Sequence, residues 1–387
     1  MMMRKEIFKE FDGYEAIVQE REVLRKYGLD YSPDKDAPEP YIRRLHPKRL
    51  ALRVSDIIAE TPSAKTYRLV SPSGALPPFL AGQYLTLFLD IGGIRTGRPY
   101  SISSAPNQTG YYDLTVRRVE NGLVSNYLHT VVKTGDHLQS SGPEGHFYHN
   151  PLFHDRTLVC LAGGSGITPF MSMVREIVEC GLDREVFLFY GNRTLEEAAF
   201  HGSLLAYGAR FPPIHYFPVI EAPQPGYAGL TGLITGDLIR SLVGNLENKT
   251  FYLCGPQAMY DFCIPEVESL GIPRRKIRKE VYGPPTDITR SPNWPGEVKA
   301  DQVFDVKIKG GPAIKARAGE PLVSALERRG ILVPSLCRSG ECSLCRVKIL
   351  SGRVFEPPGI PVRRSDRRYG YTHACVTYPL GDLEVMV

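Results

Sequence analysis

The chain has 387 residues, enough for two or three domains at roughly 150 residues each, and its 42% hydrophobic and 23% charged content is that of folded domains. No apolar run approaches the ~18 residues of a membrane span, and the opening MMMRKEIFKEFDGYEAIVQER is too charged for a signal-peptide core, so membrane spanning, secretion, collagen and disorder are not expected and a cytoplasmic protein is. The formal excess of +5 lies wholly in residues 301–387, with 14 basic against 9 acidic side chains, while residues 1–300 carry 33 of each, which argues against a general nucleic-acid binder.

Residues 1–48 read as an extension. Ile7, Phe11, Tyr14 and Val18 repeat at helical spacing and predict an amphipathic helix over roughly 4–27. A Pro/Asp-rich stretch, Tyr31–Pro40, then predicts a linker or extended arm. From residue 49 to 152 the pattern turns to short alternating runs, 66–70, 83–89 and 112–117, punctuated by Gly and Pro, which predicts an antiparallel β-barrel. Within it Arg98-Pro-Tyr100-Ser101 offers a cation for a phosphate, an aromatic face for a flat ring and a hydroxyl for a ring nitrogen. Further on, Gly122-Leu-Val124-Ser125 opens a predicted helix whose free amides suit a pyrophosphate. Taken singly, each reads equally as ordinary barrel-and-turn sequence.

Residues 153–283 alternate strands with helices. Strands are predicted at 157–162, 186–190, 214–219, 250–254 and 277–282, and helices at 169–180 and 257–270, the signature of a doubly wound parallel sheet. The first strand ends in Gly163-Gly164-Ser-Gly166-Ile-Thr168-Pro169, where glycines admit a dinucleotide to the backbone. This is not the G-x-G-x-x-G fingerprint. Arg193 follows the second strand and is placed to meet a 2′-phosphate, and Cys254-Gly255-Pro256 ends a later one. Histidines 129, 137, 146, 149 and 154 match no metal spacing and read as loop or solvated residues, and Cys160 reads as core.

Residues 284–300 form a proline-rich linker, with Trp294 as the side chain that docks it. Residues 301–387 predict a small α+β domain, with strands at 305–309 and 313–318 and a helix near 321–329. Cys337, Cys342 and Cys345 fall in a C-x4-C-x2-C run, and 29 residues separate Cys345 from Cys375. That is plant-type [2Fe–2S] spacing: one wrapping loop supplies three thiolates and a distant residue the fourth. Structural zinc would call for a second close cysteine pair, and disulfides for an exported chain.

Residues from about 50 onward resemble the ferredoxin–NADP reductase superfamily fused to a plant-type ferredoxin domain, as in phthalate dioxygenase reductase-like and phenylacetyl-CoA epoxidase reductase-like proteins. The R-x-Y-S, G-x-V-S, G-G-x-G-I-T-P, C-G-P and C-x4-C-x2-C motifs stand in the family's order. The resemblance implies an antiparallel flavin barrel, an α/β nicotinamide domain and a β-grasp ferredoxin domain. It implies FAD, with FMN as the alternative, a [2Fe–2S] cluster and NADH or NADPH as donor. Arg98, Tyr100, Ser101, Arg117, Gly122, Val124 and Ser125 would then hold the flavin, and Gly163, Gly164, Gly166, Arg193, Gly255 and Pro256 the nicotinamide nucleotide. Thr168, Cys254, Glu280 and Tyr282 would surround the hydride-transfer site, and Cys337, Cys342, Cys345 and Cys375 would ligate the cluster. Electrons would pass to a protein acceptor, an oxygenase or similar partner. Two alternatives stand beside it: a self-sufficient reductase of a small acceptor, and an electron-relay subunit of a larger complex.

Overall fold

The structure is a computed structural model that describes residues 13–26, 47–74, 76–285 and 287–387. The chain divides into two compact units, residues 1–48 and 49–387. In the first, helix α1 spans Tyr14–Lys26. The earlier turns expected for it, and the Tyr31–Pro40 arm, lie outside the described residues.

In the second unit, β1 (Leu50–Thr61), β2 (Ala64–Val70), β3 (Tyr84–Ile91), β4 (Ile94–Ser101), β5 (Tyr112–Arg117) and β6 (His137–Ser140) form one sheet in the order β4-β3-β6-β1-β2-β5. All its pairings are antiparallel. A bridge between Ile102 and Leu114 joins its two edges, which closes the sheet into a barrel. The period-two pattern explains the interior: Leu52 and Val54, Leu85 and Leu87, and Leu114 and Val116 alternate inward and are buried. Each such side chain contributes about 1.5–3 kcal/mol by burial. Helix α2 (Leu123–Thr130) caps this core with Val124 and Leu128, one turn apart on the same face.

A six-stranded sheet follows, from β7 (Thr157–Gly163), β8 (Glu185–Asn192), β9 (Ile214–Ile220), β10 (Leu230–Thr231), β11 (Lys249–Cys254) and β12 (Ile277–Glu280). Its order is β10-β9-β8-β7-β11-β12, parallel throughout. Strands buried on both faces read as continuous apolar runs. Accordingly, Leu158, Cys160 and Ala162 join the core under helices α3 (Thr168–Cys180) and α4 (His201–Arg210), while Val159 and Leu161 join the opposite one under α5 (Gly236–Val243) and α6 (Gln257–Ser269). The last strand stops at Glu280, two residues short of the expected Tyr282. Tyr282 leaves the sheet because its hydroxyl bonds Ser101 of the barrel.

The third layer contains β13 (Val303–Ile308), β14 (Ala313–Arg317), α7 (Leu322–Arg328), β15 (Arg346–Ser351), β16 (Val354–Phe355), α8 (Arg364–Arg368), β17 (Tyr371–His373), β18 (Tyr378–Pro379) and β19 (Leu383–Met386). Its main sheet runs β14-β13-β19-β15-β17, with the parallel β13–β19 pair at its centre. This is a β-grasp. Trp294 docks the proline-rich linker edge-on to Phe355 and Tyr378 and donates its indole N–H to the Val298 carbonyl. Among the described residues, no helix is long and apolar enough to cross a membrane.

Candidate functional site

The strand order of the parallel sheet reverses between β7 and β11, and in such folds ligands bind where the two neighbouring strands end at that reversal. Both strands end here in glycine-containing turns that touch backbone to backbone. A Cβ built on Gly166 would lie 2.0 Å from the Cys254 carbonyl oxygen. One on Gly255 would lie 3.2 Å from Gly163 Cα, and one on Gly163 2.9 Å from Pro256 Cδ. Gly164 takes a φ of 52°, where side chains are strained, and its carbonyl accepts a bond from the Tyr190 hydroxyl. Thr168 is buried at the start of α3 and donates to the Ser165 carbonyl. Glycine at 163, 164, 166 and 255 is therefore a steric requirement of this crossing.

The barrel meets this switch point along the continuation of β4. Ser172 donates to the Ser104 carbonyl at 2.7 Å and Arg175 to the Ser103 carbonyl at 2.7 Å, so α3 is fixed to the segment that follows Ser101. Arg98 and Tyr100 share one face of β4, two residues apart. Burial, and then the neighbouring Arg338, push the Arg98 guanidinium down to about 10, with Glu327 opposing. Two guanidinium groups thus face a single carboxylate. A bound phosphate would balance that excess, which fits the expected flavin site.

The α2 turn fits in the same way. Gly122 caps the helix without a side-chain bond, and the first turn carries no acid, so its leading amides are free for an anion. Val124 is core, and the Ser125 hydroxyl accepts from the Val119 amide, closing the turn. Arg117 ends β5 beside Gly164 and pairs with Glu197 at 2.9 Å. Arg193 stands exposed after β8.

Cys254, Glu280 and Tyr282 come together from β11 and the end of β12. Tyr260 binds the segment together: it donates to the Glu280 carbonyl and accepts from the Gly255 amide. Burial holds the Glu280 carboxyl well above its usual range, and neighbouring Glu341 and Cys337 add to that, while Arg278 opposes. Burial likewise raises Cys254 and Tyr282. Burial thus favours the uncharged form of all three, in the wall beside Ser101.

The cysteine loop wraps by means of three left-handed residues, Arg338, Gly340 and Ser343. Its four sulfurs form two touching pairs. Cys337 lies well below the ordinary thiol range because the Cys342 thiol and the Ser339 and Cys342 amides favour its thiolate. Cys345 is lowered by Cys375, and the second members, Cys342 and Cys375, are raised. Among the described residues, no three Cys, His, Asp or Glu side chains close on a single point. Two pairs, with amides aimed at sulfur, are what two irons need.

Reading by motif did not reveal how the loop joins the rest. Thr86 donates to the Leu336 carbonyl at 3.3 Å, and Tyr84 feels the charges of Cys337 and Cys342. These are barrel residues with no motif of their own. Histidines 149 and 154 lie in a loop, as expected; they also pack edge-on to each other, and His154 Nδ1 lies 2.6 Å from the Tyr252 hydroxyl. They act as structural links between the barrel exit and β11.

Three family models match in order: an oxidoreductase FAD-binding domain over residues 51–149, an oxidoreductase NAD-binding domain over 160–264 and a 2Fe-2S iron-sulfur cluster binding domain over 306–380. The NADH oxidoreductase HCR of Escherichia coli is 30% identical over 335 residues, 86% of this chain and 96% of that protein. The glycine betaine monooxygenase reductase subunit of Chromohalobacter salexigens is 27% identical, covering 85% and 92%. The ferredoxin reductase component of the 3-ketosteroid-9-alpha-monooxygenase of Rhodococcus rhodochrous is 27% identical, covering 87% and 95%. A solved phthalate dioxygenase reductase superposes with a TM-score of 0.65 at 23% identity, over 88% of this chain and 98% of its own.

Proposed function

The chain belongs to the ferredoxin–NADP reductase superfamily, in the branch with a carboxy-terminal plant-type [2Fe–2S] domain, and from that premise we propose that it is the reductase component of an oxygenase. It is an oxidoreductase whose cofactors are FAD, NAD(H) and a [2Fe–2S] cluster. When bound, these supply hydride acceptance from NAD(P)H and one-electron release toward an acceptor. The observation that carries the reading is the seam at which the barrel holds both other layers: Thr86 bonds the Leu336 carbonyl beside Cys337, and Ser101 bonds the Tyr282 hydroxyl.

The side chains have positioning roles. Arg98 and the α2 amides anchor phosphates, Tyr100 and Tyr282 bracket a flat ring, and Ser101 offers a hydroxyl at its edge. Gly163, Gly164, Gly166, Gly255 and Pro256 admit the nucleotide backbone, with Arg193 at its rim and Thr168 and Cys254 walling the nicotinamide. Burial favours the protonated form of Glu280 in that wall. The relatives named as reductase parts of monooxygenases support an oxygenase as acceptor. An anaerobic NADH titration tests the reading. Flavin absorbance bleaches first, then the cluster's, and the flavin released on heating is FAD. A protein that NADH and NADPH both leave oxidised would defeat it.

The acceptor meets the cysteine loop from outside. Leu344, between the ligands Cys342 and Cys345, is 46% exposed. Helix α8 precedes β17, which leads straight into Cys375, and Arg363, Arg364, Arg367 and Arg368 are all exposed there. Of the four, only Arg367 has a carboxylate within 4 Å among the described residues, Glu356 at 3.7 Å, while the buried Asp366 pairs with Arg346. Charges of one sign around an apolar contact steer an acidic partner, with attraction falling as salt rises. Replacing the four arginines by Gln is expected to slow electron delivery to the oxygenase on the order of tenfold at low ionic strength and to flatten its salt dependence. Ferricyanide reduction should be unchanged. Partner kinetics identical to wild type at every salt concentration would remove the docking face from the proposal.

A further inference from the structure

Between β4 and the cysteine loop lies a largely buried polar cluster. Thr96 is 6% exposed, Glu327 at the end of α7 is 5% and Arg338 is 3%. The Arg338 guanidinium donates to Glu327 and, at 3.1 Å, to Thr96 Oγ1. Thr96 in turn donates to the second Glu327 oxygen at 3.0 Å and accepts from Arg98 at 2.6 Å. Arg338 follows Cys337 directly and has a φ of 55°, a backbone strain that the ion pair holds in place.

We propose that Thr96, Glu327 and Arg338 form a buried clamp that fixes the cysteine loop in one register against strand β4, making them positioning residues for electron transfer across this seam. The inference rests on the flavin and iron–sulfur reading above. Adhesion alone does not account for the cluster. Burying an ion pair costs more desolvation than an apolar contact of the same size, so leucines would bind the two surfaces at least as well. Charged groups add selectivity, since any slip of the loop along β4 leaves a buried carboxylate or guanidinium unpaired. Tunnelling falls exponentially with distance, and a loop tied at Arg338 is tied one residue from the sulfur of Cys337. Each event moves one electron from reduced flavin to oxidised cluster. The clamp gives and takes no proton.

Two variants of the full-length holoenzyme test this. The double substitution Glu327→Gln with Arg338→Gln removes both charges and leaves neither buried alone. Thr96→Val cuts the barrel's half of the clamp without substituting any residue of the cysteine loop; because it also frees Arg98, bound flavin is measured alongside. For each, flavin reduction by NADH and cluster bleaching are followed by stopped flow, cluster content by visible circular dichroism, and mobility of residues 94–98 and 334–340 by amide deuterium uptake. Expected are unchanged flavin reduction, cluster bleaching slowed on the order of tenfold in the double variant and less in Thr96→Val, and faster deuterium uptake in both segments. If the double variant loses its cluster, Thr96→Val decides. Unaltered uptake and a bleaching rate within about twofold of wild type in Thr96→Val would overturn the clamp. Should wild-type protein fail to be bleached by NADH, the functional reading fails, and uptake alone judges the clamp.

Discussion

Cys337→Ser and Cys375→Ser are expected to abolish the visible spectrum of the iron–sulfur cluster and all cytochrome c reduction, while NADH still reduces the flavin at close to the wild-type rate. Each pair of sulfurs would supply one iron, so losing either member would leave that iron one ligand short. Cys375 is wholly buried, and its replacement cannot be relieved by solvent. The crossing of the turns after β7 and β11, where the nucleotide is proposed to bind, packs at Gly166 and Gly255 against no residue of the cysteine loop, although Glu280 lies near Cys337. Cys180→Ser serves as the control, because this exposed thiol lies at the end of α3. Retention of the cluster spectrum in Cys375→Ser, or loss of flavin reduction in a folded Cys337→Ser protein, would falsify the modular assignment.

The parts legible in the sequence are those whose chemistry is local. C-x4-C-x2-C is read from nine residues, and the structure folds those nine into one loop. Apolar runs such as Leu158–Ala162 announce a strand buried on both sides, and the strand is there. What could not be read depends on partners far apart in the chain. Ser101 and Tyr282 are 181 positions apart, and the strand pattern runs through Tyr282 without a sign that its hydroxyl has a better partner outside the sheet. Thr96 and Glu327 are separated by 231 residues and Thr96 and Arg338 by 242. Each is a residue type that sits on surfaces in most proteins, and only the docked domain turns them into a buried network. Arg338 was also hidden inside a motif whose cysteines draw the reading.

Gly166→Ala is expected to slow reduction of the flavin by NADH about a hundredfold, the scale of a misplacement near 1 Å at a reacting centre. Photochemical reduction of the same flavin should proceed normally. The methyl group would start 2.0 Å from the Cys254 carbonyl oxygen and 2.8 Å from the Gly255 amide nitrogen. Both are backbone atoms, so no side chain can swing aside, and the turn after β7 must part from the turn after β11. That separation moves Thr168 and Cys254, the residues proposed to wall the nicotinamide. The cost in stability is of the order of overpacking a tight core, roughly 1–3 kcal/mol, which leaves the protein folded and its cofactors in place. Gly202→Ala gives the contrast: nothing lies within 4 Å of its Cβ position in helix α4, so activity should be unchanged and stability slightly raised. A Gly166→Ala rate within tenfold of wild type would mean that the nucleotide does not lie across this crossing, and the site would have to be sought along the exposed rim near Arg193.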